Sequence, residues 1–465
     1  MPAGASADGT AANGVPHDAL VIGLAVTGQA VSRRLLERGH AVVVADDRPG
    51  PATYAAAAEL GVPLIATPTT DELDALVRGT GVVLPSPGVA ARHPVFGLAA
   101  RARVPVWSEF ELAARWSDLP IVAITGTNGK TTVTMLVTDM LARAGLRVAA
   151  AGNTDVPLVD VIDDPLDVVV VEASSFRLAL TESFRPAVAA WLNVAEDHLD
   201  WHPSAADYVA AKARVWANLR DDDIAVANAD DPIVATAARD IARVRWFSVD
   251  TKSDWWWDRD LGALVGPEGA FVDVGALPRR LPHDLANALA ASACACEAGA
   301  DAGLCAEALR QFAGLRHRVA LVGEAGGVRW YDDSKATTPA SVLAALRGFA
   351  SVVLIAGGRN KGLDLSVLAG GVPPVRAVVA VGESGPDVAA AFGPTGVPTV
   401  AAASMAEAVD AADALAASGD AVLLSPGCAS FDWYRDYTER GDDYARLVLA
   451  RPGMAPGPQL PEGSH

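Results

Sequence analysis

The chain has 465 residues, 51% of them hydrophobic and 20% charged, and its formal net charge is -19. That length exceeds what a single core organises, so two or three domains are expected. The acidic balance argues against a nucleic-acid or anionic-membrane partner, and apolar runs of only strand length with no secretory pattern argue against a membrane span or leader, which points to the cytoplasm.

Residues 1–17, rich in Ala, Gly and polar side chains, are expected to form a disordered tail. From there strand-length apolar runs alternate with helical patterns almost throughout, which predicts α/β domains with mostly parallel sheets. "ALVIGLAV" leads through a helix to "HAVVVADD"; "LDVVVVEAS", "AVAAWLNV", "VRWYDDS", "ASVVLIAGG", "RAVVAVG" and "DAVLLSPG" follow. Runs that are apolar throughout suit strands covered on both faces. Breaks are expected near 112–118 and at "FAGLRHR", giving three α/β domains, and "RPGMAPGPQLPEGSH" reads as a second loose tail.

"GLAVTG", from Gly23 to Gly28, resembles a dinucleotide fingerprint in which Ala25 replaces the middle glycine, and Asp46 follows the next strand where a ribose-binding acid would lie. The pattern fits a nucleotide-diphosphate binder without demanding a nicotinamide enzyme. "IVAITGTNGKTTVTMLV" then reads as a strand, a glycine turn and a helix. A general phosphate loop sets four residues between its first glycine and Gly-Lys-Thr, and that position here is Ile124. Backbone N–H groups at the helix start are nonetheless placed to cradle a triphosphate, with Lys130 to reach its outer phosphates and Thr131 to bind Mg²⁺.

Glu172 closes the strand "LDVVVVE", and Asp197 and His198 follow "AAWLNVAE". Ligands of parallel sheets gather beyond such strand ends, and a carboxylate or neutral imidazole there is a reasonable Mg²⁺ ligand. In "SAADYVAAKARVWANL", Ser204 and Asp207 make a capping signature, and Lys212 lies on the apolar stripe of Tyr208, Val215 and Leu219. An inward lysine must snorkel, pair with an acid or be chemically changed. "WWW" at 255–257 reads as packing or a partly exposed hairpin. Cys294, Cys296, Cys305 and Cys428 form no CxxC pair and read as free buried thiols. Three polar loops after strands, "DDSKATTPAS", "GGRNKGLD" and "SPGCASFDWY", bring Lys335, Thr337, Lys361 and Ser430 to grip a small anion or to lie in solvent.

Taken together, "TGTNGKTT", "EASSFRL", "NVAEDHLD", "YVAAKARVW", "PHDLANALAA", "DDSKATTPAS" and "LLSPGCASFDWY" resemble the Mur ligase family, in family order from about residue 20 to 445. "SPGV" at 86–89 with "GLAVTG" favours the branch that adds D-glutamate, against the alternative of a sibling adding another amino acid such as L-glutamate. The resemblance implies a Rossmann-like domain for the UDP substrate over 18–113, a central P-loop ATPase domain over 114–314 and a Rossmann-like amino-acid domain over 315–452, with 453–465 as tail. It implies ATP, two Mg²⁺ ions, UDP-N-acetylmuramoyl-L-alanine and D-glutamate as cofactors and substrates, an acyl-phosphate route, and a monomer.

By position, the resemblance gives Gly126, Thr127, Asn128, Gly129, Lys130, Thr131 and Thr132 to the phosphates, and Thr131, Glu172, His198 and Lys212 to the metals. Lys212 would carry a CO₂-derived carbamate, which turns an inward cation into an anion. Asn287, Arg318 and Asp333 would contact ATP, with His317 near the reaction centre. Val26, Thr27, Asp46, Ser86 and Asn153 would meet the uridine diphosphate, Ser174 the muramoyl end, and Lys335, Thr337, Lys361, Ser430, Phe431 and Tyr437 the D-glutamate site. Departures are Ala25 for glycine, Arg177 for the glutamine of "SSFQL", Arg316 and Ala320 for a proline and an acid, and Tyr437 for phenylalanine.

Overall fold

The computed structural model describes residues 14–198, 201–458 and 460, and it alternates strands and helices through three sheets. The first sheet is four-stranded and parallel, in the order Leu64–Ala66, Ala41–Asp46, Asp18–Ile22, Val82–Pro85. The second has nine strands. Its parallel part runs Val148–Gly152, Val168–Glu172, Ile121–Thr125, Val188–Trp191, Ile224–Asn228, Val244–Ser248 and Trp255–Asp258, and Ala263–Gly266 and Gly269–Asp273 complete it as an antiparallel edge. The third has seven strands, parallel from Thr399–Ala402 through Val375–Val381, Val352–Gly357 and Ala421–Leu424 to Val328–Asp332, then antiparallel through Ala320–Ala325 and Ala455–Pro456. This is the three-part α/β architecture the alternation predicts.

The central strands Ile121–Thr125 and Val168–Glu172 are buried at every residue, as the unbroken apolar runs require when helices cover both faces. On one face lie the helices Lys130–Arg143 and Pro282–Glu297. On the other, Phe110, Leu112 and Ala113 of the helix Glu109–Trp116 join a core that continues into the first sheet. That helix spans the break anticipated near 112–118. Trp255 is buried and Trp256 and Trp257 are half-buried in an antiparallel hairpin, so this stretch is packing.

Both expected tails need correction. Residues 1–13 lie outside the described residues, but Val15, just before the inner strand Asp18–Ile22, is fully buried in the same core as Ala19 and Val21 of that strand. Ala455–Pro456 pair with Gly323 and Glu324, where the chain end satisfies the open edge of the third sheet. Residues 459 and 461–465 lie outside the described residues. No described helix is long and apolar enough to cross a membrane.

Gly357 ends the strand Val352–Gly357 at φ 127, and a Cβ there would stand 1.9 Å from the carbonyl oxygen of Val381. Gly357→Ala is therefore expected to destabilise the protein by about 2 kcal/mol or more in denaturant unfolding.

Candidate functional site

Beyond the carboxyl end of Ile121–Thr125 the chain turns through Gly126 (φ 157) and Gly129 (φ 87) into the helix Lys130–Arg143. Asn193 holds the turn from the next strand end. Its Oδ1 accepts from the Asn128 N–H at 2.8 Å and its Nδ2 donates to the Asn128 carbonyl at 3.1 Å. The Thr127 hydroxyl lies 3.0 Å from the Tyr208 hydroxyl and accepts from the Ala195 N–H at 2.9 Å. Lys130 Nζ folds over the loop and donates to the carbonyls of Gly126 and Thr127 at 2.9 and 3.0 Å.

Lys212, in the helix Ala205–Ala213, is 1% exposed and donates from Nζ to the same Gly126 carbonyl at 2.7 Å, with its ammonium 4.6 Å from the Tyr208 ring centre. It does not snorkel. Burial drives its pKa well below the ordinary lysine value, Lys130 adds to the fall, and Asp197 and Glu172 oppose it. Burial lowers the Lys130 pKa too, against Glu172 and Asp197. Two lysines on one carbonyl, facing two carboxylates, form a site ready for a strongly anionic ligand.

Glu172 is 3% exposed; its Oε1 accepts from Asn153 Nδ2 at 2.9 Å, while its buried Oε2 has no hydrogen-bond partner. An unpartnered buried carboxylate oxygen beside a phosphate-type loop fits a hard divalent cation. Among the described residues no three His, Cys, Asp or Glu side chains converge as a ready metal cage. A cation held there would draw its remaining ligands from hydroxyl groups, water and phosphate oxygens, which is how Mg²⁺ is ordinarily bound. Thr131 is at the helix start, and its hydroxyl accepts from Arg318 Nη2 at 2.7 Å. His198 adopts φ 55 beside Asp197, whose Oδ1 accepts from the His198 N–H at 2.8 Å, and its ring meets Phe176 edge-on at 4.6 Å.

A cavity of about 530 Å³ between the second and third sheets is lined by Asn128, Gly129, Thr132, Asn287, Arg318, Asp333 and Lys335, among others. Asn287 stands so close to the loop that a Cβ on Gly129 would meet its Oδ1 at 2.4 Å. Asp333 accepts from the Ser425 hydroxyl at 2.7 Å and the Val319 N–H at 3.2 Å, and burial pushes its pKa up to about 7. His317 lies 2.6 Å from Asp332 through Nδ1 and 6.0 Å from the Tyr437 ring.

Lys335 Nζ sits 3.6 Å from the centre of the Tyr437 ring, a cation–π contact. Burial brings its pKa down to about 7, with Arg318, Lys130 and Lys361 adding to the fall and Glu172 opposing it. A lysine of the third sheet thus reaches the groups of the phosphate loop. The three polar loops are tied together: Gly427 N–H donates to Ala336 at 2.8 Å, and Arg359 and Ala429 exchange two backbone bonds of 2.9 Å. Ser430 is buried, Thr337 and Lys361 are half-buried, and Phe431 is 59% exposed, so Phe431 stands apart from the enclosed part of the site.

The first sheet carries a separate cleft of about 800 Å³, lined by Val26, Thr27, Asp46, Ser86, Asn153 and Arg177 among others. Asp46 Oδ2 accepts from the Leu24 N–H at 3.2 Å and Ser86 Oγ donates to Gly23 at 2.8 Å, so both shape the turn before the helix Val26–Glu37. Ser174 is buried beside Arg177, at 3.5 Å from its Nη1.

Sequence reasoning missed several organising residues. Buried Arg440 donates to Ser334 Oγ (2.9 Å), Ser334 O (2.7 Å) and Cys428 O (3.1 Å), clamping two of the polar loops. Asn193 stands at the head of "NVAEDHLD" without having been singled out, and the buried Glu109 carries no motif. Trp201, whose indole N–H donates to Val89 at 2.7 Å, joins the first sheet's loops to the His198 segment. The cysteines are free, as expected.

The Asp333 carboxyl gives a pH prediction. Because its folded pKa is raised from 3.8 to about 7, its contribution to stability is full below pH 3.8 and is lost as pH rises to about 7. Relative to Asp333→Asn, the wild type is expected to lose up to about 4 kcal/mol of unfolding free energy across that window, measured by denaturant titration at stepped pH.

Comparison with known proteins agrees with this geometry. Residues 17–108 match the Mur ligase MurD-like N-terminal domain, 124–295 the Mur ligase middle domain and 317–428 the Mur ligase glutamate ligase domain. The chain is 42% identical over 452 residues to UDP-N-acetylmuramoylalanine–D-glutamate ligase of Frankia casuarinae, covering 93% of this chain and 94% of that one. It is 40% identical over 439 residues to the protein of the same name from Pelobacter propionicus, covering 93% and 98%. In fold it resembles a pseudomurein peptide ligase type C from Methanothermus fervidus (TM-score 0.60, 18% identity, 93% and 99% covered). It also resembles UDP-N-acetylmuramate-alanine ligase from Thermotoga maritima (TM-score 0.57, 18% identity, 93% and 99% covered). With all three domain models matched in order and full-length relatives well above 30% identity, the chain belongs to the Mur ligase family.

Proposed function

We propose that this chain is an ATP-dependent ligase that joins the amine of D-glutamate to the carboxylate of UDP-N-acetylmuramoyl-L-alanine through an acyl phosphate, a cytoplasmic step of peptidoglycan precursor synthesis. The observation that carries the reading is that Lys130 and Lys212 both donate to the Gly126 carbonyl of one glycine turn, with Glu172 ending the neighbouring strand and Lys335 of the third sheet lining the cavity that adjoins the turn. Relatives named for this reaction along almost the whole chain support the choice of substrates. The proposed division of labour is 18–113 for the uridine nucleotide, 114–314 for ATP and 315–452 for the amino acid.

ATP supplies the phosphoryl group that activates the carboxylate, and Mg²⁺ screens the phosphate charge. The chain's own groups do the rest. Gly126–Thr132 present backbone N–H groups and the Lys130 ammonium to the phosphates, and Asn287, Arg318 and Asp333 line the adjoining cavity for the nucleotide. Glu172, Thr131 and His198 are the proposed metal ligands, with Glu172 Oε2 open for that role. Thr27, Asp46, Ser86 and Asn153 orient the uridine substrate, with Ser174 toward the muramoyl end. Lys335, Thr337, Lys361, Ser430 and Tyr437 hold the carboxylates of D-glutamate, and His317, steered by Asp332, stands near the reacting groups.

Lys212 is proposed to carry a carbamate. Its buried, readily neutral amine adds to CO₂ and releases one proton, which replaces a second cation at the Gly126 carbonyl by an anion facing the metal site. Lys212→Ala is expected to lower ligase turnover by about 100-fold or more, in the range typical of a charge-stabilising group, with partial recovery in formate or acetate. Unchanged turnover contradicts the role. For the reaction itself, phosphate release with UDP-N-acetylmuramoyl-L-alanine is expected with D-glutamate and at background level with other amino acids. Turnover with L-glutamate or a diamino acid but not D-glutamate overturns the assignment.

A further inference from the structure

Arg177 is 6% exposed and sits where the two substrate regions meet. Its Nε donates to Glu109 Oε1 at 2.7 Å, its Nη1 to Asn153 Oδ1 at 3.0 Å, and its Nη2 to Thr27 Oγ1 at 3.2 Å. Thr27 belongs to the first turn of the helix Val26–Glu37, so one guanidinium bridges the first and second sheets. The Glu109 side chain is fully buried, and burial raises its pKa against the opposing pull of Arg177; the pair joins this enclosed carboxyl to a guanidinium that lines the cleft.

We propose that Arg177 is a positioning residue that couples the uridine-nucleotide cleft to the Glu172 carboxylate through the Asn153 amide. A guanidinium only donates, so Asn153 must turn Oδ1 toward Arg177. A carboxylate only accepts, so the remaining NH₂ meets Glu172 Oε1 at 2.9 Å. The reverse amide orientation sets oxygen against carboxylate and N–H against guanidinium, and both contacts are repulsive. The Asn153 backbone is already fixed, its N–H donating to the Glu172 carbonyl at 2.9 Å, which leaves the side-chain amide as the movable part.

Held this way, Glu172 spends one oxygen on Asn153 and keeps Oε2 free. A ligand that bonds to Thr27 or Asn153 in the cleft changes what Arg177 grips, and through the amide changes how Glu172 is held. Such coupling must be reciprocal. A glutamine at this position, as in "SSFQL", carries both a donor and an acceptor and imposes no single amide orientation. The coupling is therefore a property of this chain's own residue.

The inference rests on the proposed assignment of the two sites, and its test separates the two. Binding of the Mg²⁺ complex of a non-hydrolysable ATP analogue is measured by calorimetry with and without saturating UDP-N-acetylmuramoyl-L-alanine. The wild type is expected to bind the complex about 5-fold or more tighter when the uridine substrate is present. Arg177→Gln alone strands a buried carboxylate, so Glu109→Gln/Arg177→Gln removes both charges, and Arg177→Lys keeps the charge without the planar fork. Both variants are expected to melt cooperatively and to bind the complex with less than about 2-fold change on adding the uridine substrate. A wild type without coupling, or variants that keep the wild-type ratio, overturns the relay and leaves the ligase assignment standing. A wild type that does not bind the uridine substrate overturns both.

Discussion

Lys130 and Lys212 donate to one backbone carbonyl, that of Gly126, at 2.9 and 2.7 Å. Two ammonium groups so close, with Lys212 fully enclosed, repel each other and lose hydration, and the neutral carbonyls of Gly126 and Thr127 compensate for little of that. Much of the surrounding architecture answers this constraint. Glu172 and Asp197 stand at the ends of neighbouring segments and raise both lysine pKa values against the burial that lowers them. Phosphate oxygens are the obvious further compensation, and a carbamate on Lys212 removes the repulsion at its source.

The sheets explain how such a concentration of charge is held. Strands that are apolar up to their last residue place their polar side chains, Thr125 and Glu172, at the carboxyl ends. Asn193, Tyr208 and Asn153 then fix individual loop groups, and Ser341 Oγ reaches Asn128 Oδ1 at 2.7 Å from the far side of the cavity. That last bond, together with the Arg318–Thr131 contact, brings the segments around the third sheet against the phosphate-type loop of the second. Joining two substrates requires this closeness, since the activated carboxylate must meet the amine before water does.

Much of this was legible in the sequence for physical reasons. Glycines at 126 and 129 announce positive φ, unbroken Val and Ala runs announce buried strands, and Lys212 on an apolar stripe announces a charge that must be dealt with. Glu172 and His198 were placed by their position after strands. Other parts leave no local trace. Arg440 and Glu109 act on partners dozens of residues away, and nothing in their neighbours sets them apart from solvated side chains. Arg177 was visible only as a departure from a pattern, and its meaning depends on Glu109 lying 68 positions earlier in the chain. The chain ends misled for a related reason: Val15 and Ala455 have loop-like surroundings in sequence, yet the first core and an open sheet edge recruit them.

The central claim is that the enclosed Lys212 does not remain an ammonium group in the working enzyme. The most direct measurement is an NMR spectrum of the protein in isotope-labelled bicarbonate, compared with Lys212→Ala under the same conditions. A carbamate carbon signal in the wild type that is absent from the variant is the predicted result. A fully active wild type with no such signal would contradict the account.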